Sequence, residues 1–146
     1  MKRAWIVFAV LFLRAAVPAH AQSGKEIADW ASTGLVGVDM AAEAIHDFRN
    51  GCGGRFILKN GISIASAEIL KRVVHEERPN HYDNKSWPSE HSWLAAVNSG
   101  WNIKVGFTIA LGAGAGRVLS DFHHPWDVAS GLLFGALIDH YIPCRS

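Results

Sequence analysis

The spacing of apolar residues after residue 24 constrains the fold of this chain more than any other feature. Between Lys25 and Phe48, apolar side chains recur every three or four residues, which is the period of an amphipathic helix. The same period returns in later segments, at about Gly61–His75, from Ser89 onward, at about Trp101–Leu119 and at about Pro125–Tyr141. None of these segments alternates as a strand does. The chain is therefore predicted to be all-α, a compact bundle of about five or six helices.

Turn-forming residues predict where these helices begin and end. The glycine-rich stretch 50–54 breaks the first helix, and Pro79 ends the second because the residue before a proline avoids helical backbone. Residues 80–88 form a polar loop. Ser89 is a good N-cap for the third helix, and Pro125 is a favoured first residue for the last one.

Residues 1–21 have the composition of a secretory signal. Lys2 and Arg3 give a positive start, Ala4–Leu13 is an uncharged apolar run, and Ala19-His20-Ala21 places small residues before a cleavage site. An uncleaved anchor helix is the alternative, but the run is shorter than the roughly 20 residues that span a bilayer. We expect a signal peptide at 1–21 and a helical domain at 22–146, in a protein that is periplasmic or secreted.

Charge excludes one class of partner and bears on the location. The formal net charge of +1 falls to −2 when the basic residues of the signal are removed, so no basic stripe is left to bind nucleic acid. The longest uncharged stretches, Val105–Gly116 and Val128–Ile138, are too short to span a membrane. Acidic residues interrupt the other helices, namely Asp29, Asp39, Glu43, Glu68 and Asp139. A soluble or peripheral protein is expected, with membrane association as the alternative.

The chain has two cysteines, Cys52 and Cys144. In an exported protein such a pair can form a disulfide, and two separate small apolar side chains are the alternative. The sequence leaves both readings open.

Three short motifs bring together the residue types of a phosphate site. They are Lys71-x6-Arg78-Pro79, Pro88-Ser89-Glu90-His91 and Gly116-Arg117-x5-His123-x3-Asp127. Fixed cations and a hydroxyl suit a tetrahedral dianion, two histidines suit a nucleophile and an acid, and a carboxylate suits a partner that orients one histidine. The predicted phosphate ligands are Lys71, Arg78, Ser89 and Arg117, and the predicted catalytic residues are His91, His123 and Asp127.

Local structure predicts where several of these side chains lie. Lys71 and Arg78 are seven residues apart, so they are expected on one face of a helix, two turns apart. Ser89 begins a helix whose free amides favour an anion. His123 precedes the last helix and is expected at its entrance, with little packing around it. Asp127, in the first turn, can reach back to one imidazole nitrogen and leave the other free to attack phosphorus.

The motifs and their order resemble the type 2 phosphatidic acid phosphatase / vanadium haloperoxidase superfamily. That family's pattern reads Lys-x6-Arg-Pro, Pro-Ser-Gly-His and Ser-Arg-x5-His-x3-Asp. The match covers Lys71–Asp127, with Glu90 in place of the glycine and Gly116 in place of the serine. The resemblance implies that His91 is the general acid, and that His123 forms a phosphohistidine that water then hydrolyses.

The resemblance also implies that no metal is used. The implied activity is a metal-independent hydrolysis of phosphate monoesters, carried by lipids or by small soluble molecules. Lys71, Arg78 and Arg117 neutralise the charge that a metal ion would otherwise meet, so no cofactor is expected. His75 and His81 could line the mouth of the site, and no metal-ligand spacing is present.

Two other functions are compatible with the same residues. In the haloperoxidase branch the pocket holds vanadate, although those relatives are much larger than this chain. A non-catalytic phosphate or lipid binder is the second alternative, because the carboxylate of Glu90 would repel an anion. We expect Glu90 to point away from the anion, since Ser89 and His91 already fill the inward directions. The sequence does not identify the substrate.

Overall fold

The computed structural model describes residues 23–144, whose regular secondary structure is all helical, without strands. Its elements are α1 (Gly24–Arg49), α2 (Gly53–Val74), α3 (Glu90–Val97), a 3₁₀ turn (Ser99–Trp101), α4 (Ile103–Leu119) and α5 (Pro125–Tyr141). The predicted all-α bundle is confirmed. The predicted signal peptide, residues 1–21, lies outside the described residues.

Four of the five helices begin and end within two residues of the predicted positions, and α2 does not. It begins at Gly53, eight residues before the predicted start at Gly61. Gly53 and Gly54 therefore belong to the helix, and Gly51, with φ 73°, makes the turn on its own. A glycine at position 53 leaves room for the ring of Phe48, because a Cβ there would lie 2.5 Å from that ring.

Glycines let the helices approach each other at their backbones. Gly131 and Gly135 of α5 face α3, where a Cβ at either position would overlap the carbonyl oxygen of Ser89 or Trp93. Gly116 of α4 faces α1, where a Cβ would lie 2.8 Å from the carbonyl oxygen of Ala28. The family's serine cannot fit at position 116 without a shift, so this departure has a packing reason.

The interior is built from small and polar side chains. Its apolar part contains one valine and four alanines, namely Val36, Ala95, Ala96, Ala110 and Ala113. Beside it, the half-buried Arg55 and the buried Lys59 of α2 meet carboxylates of α1 and α5. Both bind Asp139, at 2.6 Å and 2.8 Å, and both also bind Glu43. The charge cluster thus ties three helices together.

The exterior is correspondingly apolar. No exposed residue of α2 between Ile57 and Ala67 is charged, and the same holds for α4 between Val105 and Leu119, whereas the side chain of Glu68 is 40% exposed. Of the five acidic residues that seemed to interrupt the helices in sequence, Asp39 and Glu43 are fully buried and Asp139 joins the charge cluster. These charges point inward, so they do not make the surface polar. None of the described helices is both long and apolar enough to cross a membrane.

A disulfide joins Cys52 to Cys144, with the two Cα atoms 5.7 Å apart. It links the residue before α2 to the segment that follows α5. The cross-link closes the chain over a separation of 92 residues, and it settles the question that the sequence left open.

Candidate active site

The start of α3 is fixed against the first turn of α5. The amide of Ser89 donates to the carbonyl oxygen of Asp127 at 3.0 Å, and Gly131, one turn further along α5, leaves room for the backbone of α3. The second motif is thereby placed beside the third. The two histidines come from these two adjoining helix starts.

Asp127 is a fully buried carboxylate with several donors. It accepts from the amide of His124 at 2.8 Å and from the hydroxyl of Ser86, and its Oδ2 lies 3.5 Å from Nδ1 of His123. Burial alone would raise the pKa of Asp127, but the effects of His123, Ser86 and His124 outweigh it and the pKa is lowered. Asp127 is therefore ionised, and its Oδ2 lies beside Nδ1 of His123.

His123 lies just before α5, as expected, but the expectation of little packing around it is wrong. The residue is only 2% exposed. Burial lowers its pKa, Asp127 opposes that shift, and the positive charge of Arg117 adds to it. The imidazole is thus neutral at neutral pH. Among the described residues its buried Nδ1 has no hydrogen-bond partner, and Oδ2 of Asp127 lies 3.5 Å from it.

His91 lies in the first turn of α3 among positive charges. Its pKa is lowered from 6.5 to about 3, first by burial and then by Arg117, His123, Lys71 and Arg78. Charges act this way only over short distances. The contacts agree with this: Lys71 pairs with Glu90, the residue before His91, and both arginines lie over the ring of Phe122, the residue before His123. The hydroxyl of Thr33 lies 3.3 Å from Nε2 of His91.

The two arginines share one aromatic ring. The guanidinium of Arg117 lies 4.4 Å from the centre of the Phe122 ring, and that of Arg78 lies 5.3 Å from it. Arg78 also donates to the carbonyl oxygen of Phe122 at 3.3 Å. The expectation that Arg78 shares a helix face with Lys71 is wrong, because α2 ends at Val74. The loop, and not a helix, carries Arg78 to the site.

Each predicted phosphate-binding cation holds a carboxylate. Lys71 Nζ lies 2.6 Å from Glu90 Oε2, Arg78 Nε lies 2.6 Å from Asp83 Oδ1, and Arg117 pairs with Asp29. The expectation that Glu90 points away from the site cations is therefore wrong. Its side chain turns toward Lys71, one of the predicted phosphate ligands.

Ser89 acts as the N-cap of α3. Its hydroxyl accepts from the amide of Ser92 at 3.5 Å and lies 3.0 Å from the Ser92 hydroxyl. The side chain is fully buried. Its predicted role as a phosphate ligand stays a prediction, while its role as a cap is confirmed.

One group of side chains outside this site has the spacing of metal ligands. Ligand atoms of Glu43, His46 and Asp47 lie within 4.8 Å of one another. Sequence reasoning missed this group, although positions i, i+3 and i+4 share a helix face. Arg55 Nη1 already binds Glu43 at 2.7 Å and Asp47 at 2.8 Å. The Arg55 guanidinium therefore occupies the position of a bound cation and neutralises the carboxylates that would bind it.

Sequence reasoning also missed several neighbours of the motif residues. These are Asp29, Thr33, Asp83, Ser86 and Phe122. Asp29 and Thr33 come from α1, far from the motifs in sequence, and no local pattern links them to the site. Ser86 lies three residues before Ser89, and Phe122 lies directly before His123, so closeness to a motif in sequence was the available signal for these two.

No family model, no curated protein and no solved structure matched this chain. The geometry of the site and the motif resemblance therefore carry the functional inference.

Proposed function

We propose that this protein is a metal-independent phosphatase of the type 2 phosphatidic acid phosphatase / vanadium haloperoxidase superfamily, with His123 as its nucleophile. One observation carries the proposal. A neutral, buried His123, oriented by the ionised Asp127, lies with a second histidine among the cations Lys71, Arg78 and Arg117. Such a set can hold a phosphate and attack it.

The reaction has two steps. Nε2 of His123 attacks phosphorus, the bond from phosphorus to the ester oxygen breaks, and His91 gives its proton to the leaving alcohol. His91 then takes a proton from water, the resulting hydroxide attacks phosphorus, and the bond to His123 breaks to release phosphate. Lys71, Arg78 and Arg117 balance the charge on the phosphoryl oxygens in both steps. No metal takes part in this scheme.

The proton of His91 depends on the bound anion. In the empty site burial and the surrounding cations hold its pKa at about 3, so it is neutral at neutral pH. A bound phosphate places negative charge beside the same imidazole and raises its pKa. Substrate binding therefore loads the acid with its proton, either from water or from the monoanionic substrate itself.

The apolar exterior favours a lipid phosphate as the substrate. The outward faces of α2 and α4 present uncharged residues from 57 to 67 and from 105 to 119, and Trp126 is exposed at the start of α5. Such a surface suits contact with a bilayer, where lipid phosphates are found. Small soluble phosphates are the alternative. We propose an exported enzyme, periplasmic or secreted, that makes peripheral contact with a membrane.

A non-catalytic phosphate binder is the second candidate, and one observation favours it. All three cations of the site are paired with carboxylates, which reduces their pull on an entering phosphate. Turnover separates this candidate from the phosphatase.

The test is hydrolysis of an aryl phosphate by the mature chain in the presence of EDTA. We expect turnover in EDTA, an acid-labile phosphoryl group on the protein after rapid quenching, and loss of both in His123→Ala. His140→Ala is the matched control, since His140 is exposed near the end of α5. Activity that vanishes in EDTA and returns with a divalent metal would contradict the metal-free scheme. Normal turnover by folded His123→Ala would exclude His123 as the nucleophile.

A further inference from the structure

Glu90 stands apart from the other two carboxylates at the site. Asp83 is five residues from Arg78 and also accepts from the amide of Lys85 at 2.9 Å, so it shapes its own loop. Asp29 reaches Arg117 from α1. Glu90, in contrast, projects from the first turn of α3, between the N-cap Ser89 and the acid His91. It belongs to the segment on which an anion would be bound.

Glu90 binds the ammonium group of Lys71, which is the group that would bind a phosphate. Lys71 Nζ lies 2.6 Å from Glu90 Oε2, and its next acidic neighbour, Glu68, is 3.9 Å away. The Lys71 side chain is almost completely buried, so its ammonium group cannot turn to water instead. The Glu90 side chain is 25% exposed and has a way out to solvent.

We propose that the Glu90 carboxylate is a built-in competitor for phosphate at Lys71. It holds the ammonium group in the empty site, and its side chain swings toward solvent when a phosphate takes its place. The proposal rests on the proposed function of this site, and it names Glu90 as the residue that sets the affinity for phosphate. It gives a reason for a carboxylate at position 90, where repulsion of an anion would otherwise only weaken phosphate binding.

The consequence is weak binding of phosphate in the ground state. An entering dianion must break an ion pair of 2.6 Å before it gains Lys71, and the displaced carboxylate stays nearby as a like charge. Free phosphate, the product, meets the same competition, so it leaves quickly. Removal of the charge at Glu90 should tighten phosphate binding without improving the chemical step.

The experiment measures binding of inorganic phosphate by calorimetry to wild type, Glu90→Gln and Glu68→Gln. Glu68→Gln is the matched control, because it removes the same charge near the same lysine without breaking a close pair. We expect Glu90→Gln to lower the Kd for phosphate about tenfold or more, and Glu68→Gln to lower it less than threefold. Product inhibition and KM should change in parallel with the Kd, while kcat does not rise.

Equal Kd values for Glu90→Gln and Glu68→Gln would overturn the proposal, and so would a failure of all three proteins to bind phosphate. If Glu90→Gln does not fold, Glu90→Asp decides, since its shorter side chain keeps the charge but holds Lys71 less closely. A Kd at least about threefold lower supports the proposal, and an unchanged Kd overturns it. Turnover of an aryl phosphate is scored separately. Tighter phosphate binding by Glu90→Gln without turnover would support this inference and contradict the proposed phosphatase activity.

Discussion

At the scale of single residues, the two histidines of the site differ in the charges that surround them. His123 has the carboxylate of Asp127 against its Nδ1, which fixes its orientation and partly offsets the effect of burial on its pKa. His91 has cations beside it and a hydroxyl, that of Thr33, at 3.3 Å. The first arrangement suits a nucleophile. The second suits an acid that gains its proton only when an anion is bound.

The titration of His91 should therefore depend on the ligand. In the free protein its pKa is lowered to about 3, so its NMR signals should be those of neutral imidazole at pH 5 and above. Bound vanadate supplies negative charge and should raise the pKa by about two units or more. Histidine NMR across a pH series measures this, with His91→Gln used to assign the signal. A titration that is the same with and without vanadate would mean that the anion does not bind beside His91.

At the scale of the elements, the packing of α3 on α5 sets the position of His91 relative to His123. The amide of Ser89 donates to the carbonyl oxygen of Asp127, so His91 and His123 keep a fixed separation only while these helix starts stay in contact. Gly131 makes the contact possible. A side chain there would push α3 outward and move His91 relative to His123, which catalysis does not tolerate.

Gly131→Ala should consequently lower both stability and activity. Its Cβ would overlap the carbonyl oxygen of Ser89 and lie 3.2 Å from the amide nitrogen of Trp93. Overpacking of this kind costs about 1–3 kcal/mol. Gly37→Ala is the matched control, because a Cβ on that exposed helical glycine meets nothing within 4 Å and should stabilise α1 by about 0.5–1 kcal/mol. Thermal melts and aryl phosphate turnover measure both. Equal melting temperatures for the two variants would show that α3 and α5 adjust freely.

At the scale of the whole molecule, polar groups lie inside and apolar groups outside. The four long helices bury Asp39, Glu43, Asp47 and Lys59 completely, while many isoleucine, leucine and valine side chains stay exposed. Buried charges of this kind need partners to be tolerated. Glu43, Asp47 and Lys59 have ion-pair partners, whereas Asp39 has, among the described residues, a hydrogen bond from the indole of Trp101, at 2.7 Å from its Oδ1, and no ion pair.

The stability of the fold should therefore depend on the protonation of Asp39. Burial raises its pKa from 3.8 to about 7, Glu43 and Asp139 add to the shift, and Trp101 and Lys59 oppose it. A raised folded-state pKa gives stability that is complete below pH 3.8 and is lost as the pH rises through 7. Asp39→Asn keeps an acceptor for Trp101 and carries no charge.

We accordingly expect Asp39→Asn to stabilise the protein at pH 8, by about 1–4 kcal/mol, and to have little effect at pH 4. Chemical unfolding at the two pH values measures the difference. An Asn variant that is less stable than wild type at pH 8 would show that the pKa of Asp39 is not raised in the fold and that Lys59 stabilises its carboxylate.

Local sequence determined the helices and the identity of the candidate site. Ser89 and Pro125 set the starts of α3 and α5 through one cap and one fixed dihedral, which depend only on adjacent residues. The motif spacing named the cations and histidines that the structure brings together. The early start of α2 depended instead on the contact of Gly53 with Phe48, which spacing does not reveal.

Only the tertiary structure decided which partner each charged side chain contacts. Arg78 reaches the site from a loop, Glu90 turns to Lys71, and Asp29 arrives from α1 to pair with Arg117. The sequence also did not show that Asp39 and Glu43 point inward, because the pattern of a helix is the same whether a charged residue faces water or a buried partner. Backbone conformation is set by neighbours in sequence. Ion pairing and burial are set by distances between helices, and those exist only once the bundle has packed.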